Sequence, residues 1–303
     1  MSRTFKYLLL MLLAIIVGTY FYLTCCSCCS AKIGTSDDNT DLKEEIVENP
    51  TPEATSYPFS LIDGDFKYSS PNNINFNVSD FKILDTVSSN VDAGIFSLKN
   101  HLGANTNKSI NITGFYKSDE VNNSAFPNLG LARATAIKNY FTSKGIPSAQ
   151  INVFGALKED MFPKDSILYG PESYAISETV EEDMQPLADK IKANPIVLHF
   201  STGQTVVNLT PEQRQEIADI SRYLDKVAGA TCNVIGHTDN VGDRTNNIAL
   251  GQERADFGKN YLIENGIPSA KINATSKGPN VPIADNATEE GRAENRRTVI
   301  TLN

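Results

Sequence analysis

The order of apolar and polar positions divides the chain into three stretches. Residues 7–24 form an uncharged apolar run, and residues 30–57 are rich in Ser, Thr, Asp, Glu and Pro without any apolar period. From residue 58 onward, short apolar runs alternate with amphipathic stretches whose apolar residues recur every three or four positions. This pattern predicts a membrane helix, a flexible linker and a folded α/β body.

The apolar run has the length of a membrane span, because its 18 residues (7–24) extend about 27 Å as a helix. Arg3 and Lys6 precede the run, and positive charge on that side keeps the N-terminus in the cytoplasm. A cleaved signal peptide ending at Ala31 is the alternative. The run is longer than the usual core of a signal peptide, which favours an uncleaved anchor that comprises residues 1–29.

A cysteine cluster follows the apolar run. Ser27 before Cys28 suits lipid attachment, but Cys25 stands where a branched apolar residue is usual, so acylation stays open, as do inert cysteines at the membrane interface. The cluster contains four nearly adjacent thiols, with Cys26 and Cys29 as the other two. Without a histidine nearby these thiols do not predict a metal site, and their adjacency does not predict a disulfide framework.

The last 124 residues (180–303) have the clearest pattern of elements. Strands are predicted at 196–200, 231–236, 272–276 and 298–302. Thr210 caps a helix that begins at Pro211, and a second helix covers 247–265. Cys232 falls in a strand and is predicted to be a core thiol. The order strand, helix, strand, helix, strand, strand predicts a two-layer α/β sandwich.

The folded body contains an internal repeat. LGLARATAIKNYFTSKGIPSAQIN (129–152) matches LGQERADFGKNYLIENGIPSAKIN (250–273) at LG, RA, KNY, GIPSA and IN, with an offset of 121 residues. Upstream, NITG (111–114) corresponds to NVIG (233–236). We therefore expect two tandem βαβαββ sandwiches, residues 58–179 and 180–303, after the anchor and the linker (30–57).

Two opposite charges flank one loop of the second copy. Asp239 follows a predicted strand, a polar loop with Gly242 comes next, and Arg254 lies on the following helix. A loop that folds back brings the carboxylate and the guanidinium to one end of the strand. A neighbouring carboxylate and guanidinium are complementary to a zwitterion. A ligand-free surface ion pair is the alternative.

Several segments of the second copy resemble the C-terminal peptidoglycan-associating domain of the OmpA family, which Pal lipoproteins and MotB share. These segments are GHTDNVG, NIALGQERA, NGIPSAKI and PIADNATEEGRAENRRTVI. The resemblance implies that Asp239 and Arg254 hold diaminopimelate, with Thr238 and Asn247 lining the pocket. Structural roles explain Thr238 and Asn247 equally well, because Thr238 lies beside a strand end and Asn247 can cap a helix start. In the NRR segment, strand alternation allows one arginine to face the ligand, and we favour Arg297.

The sequence also departs from the family pattern. Ser201 replaces a usual Asp, and Gly251 replaces a Ser, which is expected to weaken a helix start. The first copy departs further. It keeps Arg133, but Lys117 or Ser118 stands where the second copy has its aspartate, and residues 174–176 replace NRR. We expect a degenerate first copy that has lost this ligand, because a lysine there repels an ammonium group.

Composition narrows the function classes. A net charge of -9 and a pI near 4.9 argue against nucleic acid binding. His101, His199 and His237 are scattered and lack a nucleophile or metal-ligand pattern, so we expect neither an enzyme nor a cofactor. An ion-driven motor needs an ionisable residue in its membrane helix, and residues 7–24 contain none.

The predicted function is non-covalent peptidoglycan binding that tethers a membrane to the wall of a Gram-negative bacterium. The soluble domains would lie in the periplasm, while the choice between inner and outer membrane stays open. Two alternatives are a structural membrane protein whose repeats bind protein partners and a cell-wall hydrolase. Homodimer formation and envelope protein partners also stay open.

Overall fold

The structure, a computed structural model, describes residues 53–84, 86–199 and 208–303. We call residues 53–179 the N-terminal half and residues 180–303 the C-terminal half. The N-terminal half contains β1 (Phe59–Asp63), β2 (Phe66–Ser70), β3 (Asn75–Asn77), α1 (Ser89–Ala104), β4 (Lys108–Tyr116), α2 (Leu129–Ser143), β5 (Ile151–Leu157), β6 (Ile167–Tyr169) and β7 (Glu172–Glu178). The C-terminal half contains α3 (Gln185–Ala193), β8 (Ile196–His199), α4 (Pro211–Lys226), β9 (Cys232–His237), α5 (Arg244–Glu264), β10 (Ile272–Gly278), α6 (Glu289–Asn295) and β11 (Arg297–Leu302).

A central strand organises the main sheet of each half. In the C-terminal half the strand order is β10-β9-β11-β8, with β9 parallel to β10 and antiparallel to β11. In the N-terminal half the order is β5-β4-β7, with β4 parallel to β5 and antiparallel to β7. Parallel neighbours require a crossover, and α5 and α2 provide it. β1 pairs with β2, and β3 pairs with β6, in separate small sheets.

Helix α4 illustrates how the sequence specifies its elements. The Thr210 hydroxyl accepts a hydrogen bond from the Gln213 backbone, and the Gln213 side chain accepts one from the Thr210 backbone. Such a cap contributes about 1 kcal/mol. Ile217, Ile220 and Leu224 are buried in the core of the C-terminal half, and burying each contributes roughly 1.5–3 kcal/mol. The buried face therefore stabilises the helix more than the cap does.

Polar contacts join the two halves. Lys138 of α2 forms a largely buried ion pair with Asp225 of α4. The Lys226 Nζ atom donates hydrogen bonds to the Ala149 carbonyl at 2.8 Å and to Asn152 Oδ1 at 2.7 Å. These contacts fix the start of β5 against the end of α4.

Most predicted elements of the second copy are confirmed. Cys232 is a buried free thiol at the start of β9, and burial raises its pKa to about 11. The helix predicted at 247–265 begins earlier, at Arg244, because Asp243 accepts hydrogen bonds from the first backbone N–H groups. Helices α3 and α6 were not predicted. The two halves share the strand order around their central strands, but the tandem repeat itself stays a prediction.

The predicted anchor, the cysteine cluster and most of the predicted linker lie outside the described residues. In the part of the chain that the structure describes, no helix is both long enough and apolar enough to cross a bilayer. Thr55 and Tyr57, near the end of the predicted linker, donate backbone hydrogen bonds to Phe162 at 2.9 Å and to Tyr169 at 3.1 Å.

Candidate functional site

The predicted acid lies in the loop between β9 and α5. Asp239 is 9% exposed, and its Oδ1 atom accepts a hydrogen bond from the Val241 backbone at 3.1 Å. Its Oδ2 atom accepts one from Arg296 Nη1 at 3.0 Å. An ionised carboxylate offers about four acceptor positions, so Asp239 can accept further donors while staying fixed in orientation.

The predicted base projects from α5 onto the end of β9. Arg254 is 0% exposed, and its Nη1 atom donates a hydrogen bond to the His237 carbonyl at 3.0 Å. Burial lowers the pKa of Arg254, the negative charge of Asp239 raises it, and the positive charge of Arg296 lowers it, with a net decrease. Arg254 thus contacts the last residue of β9, two positions before Asp239, so the predicted acid and base lie at one end of β9.

A contact between two glycines sets this geometry. A Cβ atom on Gly236 of β9 would lie 1.8 Å from the backbone oxygen of Gly251 in α5. Only residues without side chains let helix and strand approach this closely. Gly251 lies inside α5 and not at its start, so the expectation that it weakens a helix start is wrong. The close approach carries Arg254, one helical turn further on, to the strand end.

Thr238 and Asn247 hold the loop in place. The Thr238 backbone donates a hydrogen bond to Gly278 at 3.0 Å, and its hydroxyl donates one to the Asp239 carbonyl at 2.9 Å. Asn247 Nδ2 donates to the Val241 carbonyl at 2.9 Å. Both side chains are buried beside the acid. Their part in ligand binding stays a prediction.

Arg296, which the sequence did not single out, is the arginine of NRR that contacts the acid. Its Nη1 atom reaches Asp239, and its Nη2 atom donates to Glu289 at 2.8 Å. The favoured Arg297 instead donates to the Val281 carbonyl at 3.2 Å. Arg296 ends α6 rather than lying in β11, so strand alternation does not govern where it points. A ligand-binding role for Arg297 stays a prediction.

The Asn of NRR closes the loop before α6. The Asn295 side chain is fully buried, and its Oδ1 atom accepts a hydrogen bond from the Ile283 backbone at 2.7 Å. Its Nδ2 atom donates to the Ala284 carbonyl at 2.9 Å. Asn295 thereby holds the loop whose following helix delivers Arg296.

The buried charge of the site is predominantly positive. Burial, together with the positive charges of Arg297 and Lys277, lowers the pKa of His237 to about 4, so this imidazole is neutral at pH 7. Arg254 and Arg296 are buried near the buried carboxylate of Asp239, and Arg297 is buried near His237. This balance favours a ligand that brings a negative group of its own.

The counterpart of NRR in the N-terminal half differs from the one predicted. Glu172 pairs with Gly114, as Thr298 pairs with Gly236. The residues before β7, 169–171, therefore correspond to NRR, and the predicted equivalence of 174–176 is wrong. The constant sequence offset fails here because the two connections to the last strand differ in length.

Ser201 lies outside the described residues. Across residues 53–84, 86–199 and 208–303, no group of three or more His, Cys, Asp or Glu side chains could hold a metal ion.

The fold and the site define an α/β domain with a buried acid and a buried arginine at the end of its central strand. Residues 199–296 match the OmpA family. The chain is 32% identical over 133 residues to outer membrane protein A of Bordetella avium, covering 44% of this chain and 67% of that protein. The chain belongs to the OmpA family.

Other relatives share a smaller part of their length. Probable lipoprotein YiaD of Escherichia coli is 38% identical over 94 residues, which is 31% of this chain and 43% of that protein. Peptidoglycan-binding protein ArfA of Mycobacterium tuberculosis is 32% identical over 121 residues, which is 40% of this chain and 36% of that protein. The chain thus spans less than half of either protein. The solved peptidoglycan-associated lipoprotein from Burkholderia pseudomallei is 26% identical, over 35% of this chain and 89% of that chain, with a TM-score of 0.32.

Proposed function

We propose that the C-terminal half binds peptidoglycan non-covalently and that Asp239 and Arg254 hold the diaminopimelate head group of its stem peptide. Diaminopimelate carries an ammonium and a carboxylate on one carbon. The observation that carries the proposal is the placement of an acid and a fully buried arginine at the same end of β9. ArfA, a relative that is 32% identical to this chain over 121 residues, bears peptidoglycan binding in its name.

The two charges have separate tasks. Asp239 accepts hydrogen bonds from the ligand ammonium, and the planar guanidinium of Arg254 donates to the ligand carboxylate. Each charge-assisted hydrogen bond contributes about 1.5–3 kcal/mol net, so a few of them give a reversible tether. Arg296 is a positioning residue, because its contact fixes the orientation of the Asp239 carboxylate. Thr238 and Asn247 shape the loop around the ligand.

The whole chain then tethers a membrane to the wall in the envelope of a Gram-negative bacterium. Residues 1–29 anchor it, residues 30–52 span the distance to the wall, and the folded halves lie in the periplasm. The N-terminal half acts as a degenerate copy of the wall-binding domain. The matching segments and the shared strand order around β4 and β9 support this organisation.

Co-sedimentation of the full-length protein with purified sacculi tests the proposal. Asp239→Asn removes one charge with the same shape, Arg254→Met removes one charge and keeps an unbranched side chain, and both are expected to abolish sedimentation. Asp256→Asn is the matched control, because Asp256 is an exposed acid of α5, the helix that carries Arg254. This variant should sediment like the wild type. Circular dichroism checks that each variant is folded.

Retained sedimentation of both charge variants would refute the site assignment. It would favour the alternative of a structural protein whose halves bind protein partners. Release of muropeptides from the sacculi would point instead to a hydrolase.

A further inference from the structure

We infer that the N-terminal half retains a carboxylate-binding site at Arg133 and that the chain fills this site with its own Glu120. The inference goes beyond wall binding by the C-terminal half. It depends on the contacts of Arg133 alone, so it can stand or fall whatever Asp239 and Arg254 bind.

Arg133 occupies the place in the N-terminal half that Arg254 occupies in the C-terminal half. Both belong to the matching RA motif, and both are 0% exposed. Arg133 Nη1 donates to the Phe115 carbonyl at 2.8 Å, near the end of β4, just as Arg254 Nη1 donates to the His237 carbonyl at 3.0 Å at the end of β9. The helix and the strand thus present a guanidinium at the same end of both sheets.

A carboxylate of the chain occupies the fork of this guanidinium. Glu120 Oε2 accepts a hydrogen bond from Arg133 Nη1 at 3.0 Å, and Glu120 Oε1 accepts a short one from Arg133 Nη2. The Glu120 side chain is 2% exposed. Two parallel bonds between a guanidinium and a carboxylate are the bidentate geometry that arginine offers to a free carboxylate ligand.

Backbone groups complete the enclosure of the Glu120 carboxylate. The Ser79 backbone N–H donates to Oε1 at 2.9 Å, and the Lys117 backbone N–H donates to Oε2 at 2.9 Å. Each carboxylate oxygen therefore accepts two hydrogen bonds. Burial raises the pKa of Glu120, but the hydrogen bonds and the charge of Arg133 outweigh it, so the pKa lies below its ordinary value. The group bound at Arg133 is an ionised carboxylate.

The position of Glu120 in the chain makes it an internal ligand. It lies in the loop after β4, the counterpart of the loop after β9 that carries Asp239. Because Glu120 is tethered to the same chain as Arg133, its carboxylate has a far higher effective concentration at Arg133 than any dissolved carboxylate. Occupation of Arg133 by Glu120 adds to the expected loss of the ligand in this half, beside the positive charge of Lys117, which forms an ion pair with Asp119 at 3.2 Å.

Chemical rescue of the full-length Glu120→Ala variant tests the inference. Removing the side chain leaves a buried guanidinium and two backbone donors facing a space that formate fits. The thermal midpoint of Glu120→Ala should fall, and sodium formate should raise it by at least about 2 °C more than sodium chloride at equal ionic strength. The wild type should respond equally to both salts. The double variant Glu120→Ala/Arg133→Met has lost the guanidinium and should show no formate-specific gain.

A measurement on the wild type covers the case in which Glu120→Ala does not fold. The guanidinium NMR signals of Arg133 should stay unchanged when formate is added, because Glu120 already occupies the fork. A formate-dependent shift at Arg133 of the wild type would overturn the inference. So would a folded Glu120→Ala variant without rescue, or equal rescue of the double variant. Sacculus binding by Glu120→Ala should equal that of the wild type, which separates this test from that of the C-terminal site.

Discussion

Arg296 Nη1 lies 3.0 Å from Asp239 Oδ2, so the last helix of the chain holds the acid that follows the central strand. The two residues are 57 positions apart in the sequence. Arg296 also contacts Glu289 of α6, which limits the freedom of its own side chain. The Asp239 carboxylate is thus oriented before any ligand arrives, and such preorganisation lowers the entropic cost of binding.

We predict that Arg296→Met weakens binding to sacculi by roughly tenfold, a loss of about 1.4 kcal/mol, because Asp239 is no longer held in one orientation. Quantitative co-sedimentation measures the change. Arg292→Met is the matched control, since Arg292 also pairs with Glu289 but does not contact Asp239. Equal affinity of the two variants would contradict a positioning role for Arg296.

We predict that Gly236→Ala lowers the free energy of unfolding by roughly 1–3 kcal/mol, because the added methyl group clashes with the backbone of α5. The Cβ atom would lie 1.8 Å from the Gly251 oxygen. Gly103 offers a control, as a Cβ atom there meets nothing within 4 Å. Gly103→Ala should raise stability by roughly 0.5–1 kcal/mol, since alanine is the better helix residue. Urea unfolding that ranks the two variants in the opposite order would contradict the packing described.

Glu172 provides a prediction about pH. Its side chain is 2% exposed, and burial raises its pKa well above the ordinary value despite hydrogen bonds from Tyr174 and the Ile74 backbone. In the unfolded chain this carboxyl ionises near its ordinary pKa of about 4.3. Its contribution to stability is therefore fully present below that pH and is lost as the pH rises through the raised pKa of the folded state.

We predict that Glu172→Gln removes this dependence, because glutamine keeps the shape without an ionisable group. Relative to the wild type, the variant should gain stability steadily as the pH rises above about 4.3. Urea unfolding at a series of pH values measures the difference. Parallel stability curves for the two proteins would show that Glu172 does not titrate as described.

We predict that Lys138→Met lowers the free energy of unfolding by about 3–5 kcal/mol, because it leaves Asp225 largely buried without its partner. The double variant Lys138→Met/Asp225→Leu replaces the pair by apolar groups and should recover much of that loss. A double-mutant cycle by urea unfolding separates the terms. Strict additivity of the two single substitutions would show that this pair does not couple the halves.

The acid and the base could be predicted from the sequence because the strand, loop and helix that carry them are contiguous. Asp239 and Arg254 are separated by a single loop. Gly236 and Gly251, which let the strand and the helix approach each other, lie in the segments that match between the two copies. The contact of Arg296 with Asp239 could not be predicted in this way. It depends on where α6 ends, and this seven-residue helix has no apolar period that marks it.

The internal carboxylate of the N-terminal half was missed for a related reason. Glu120 is only 13 positions from Arg133, but the backbone N–H of Ser79, 41 positions away, helps to hold it. In the repeat, Lys117 is the residue opposite Asp239, and the acid that binds Arg133 lies three positions later. The signal in the sequence is the retained Arg133, because a buried guanidinium needs a buried anionic partner.

A titration of the full-length protein with meso-diaminopimelate, followed by NMR, tests the account most directly. We expect saturable shifts of the Asp239 backbone and Arg254 guanidinium signals, with one ligand per chain and with no shifts at Arg133. The same titration of Asp239→Asn should give no saturable shifts. If the wild type shows no shifts at Asp239 and Arg254, or if Asp239→Asn binds equally well, the proposed recognition of the head group is contradicted.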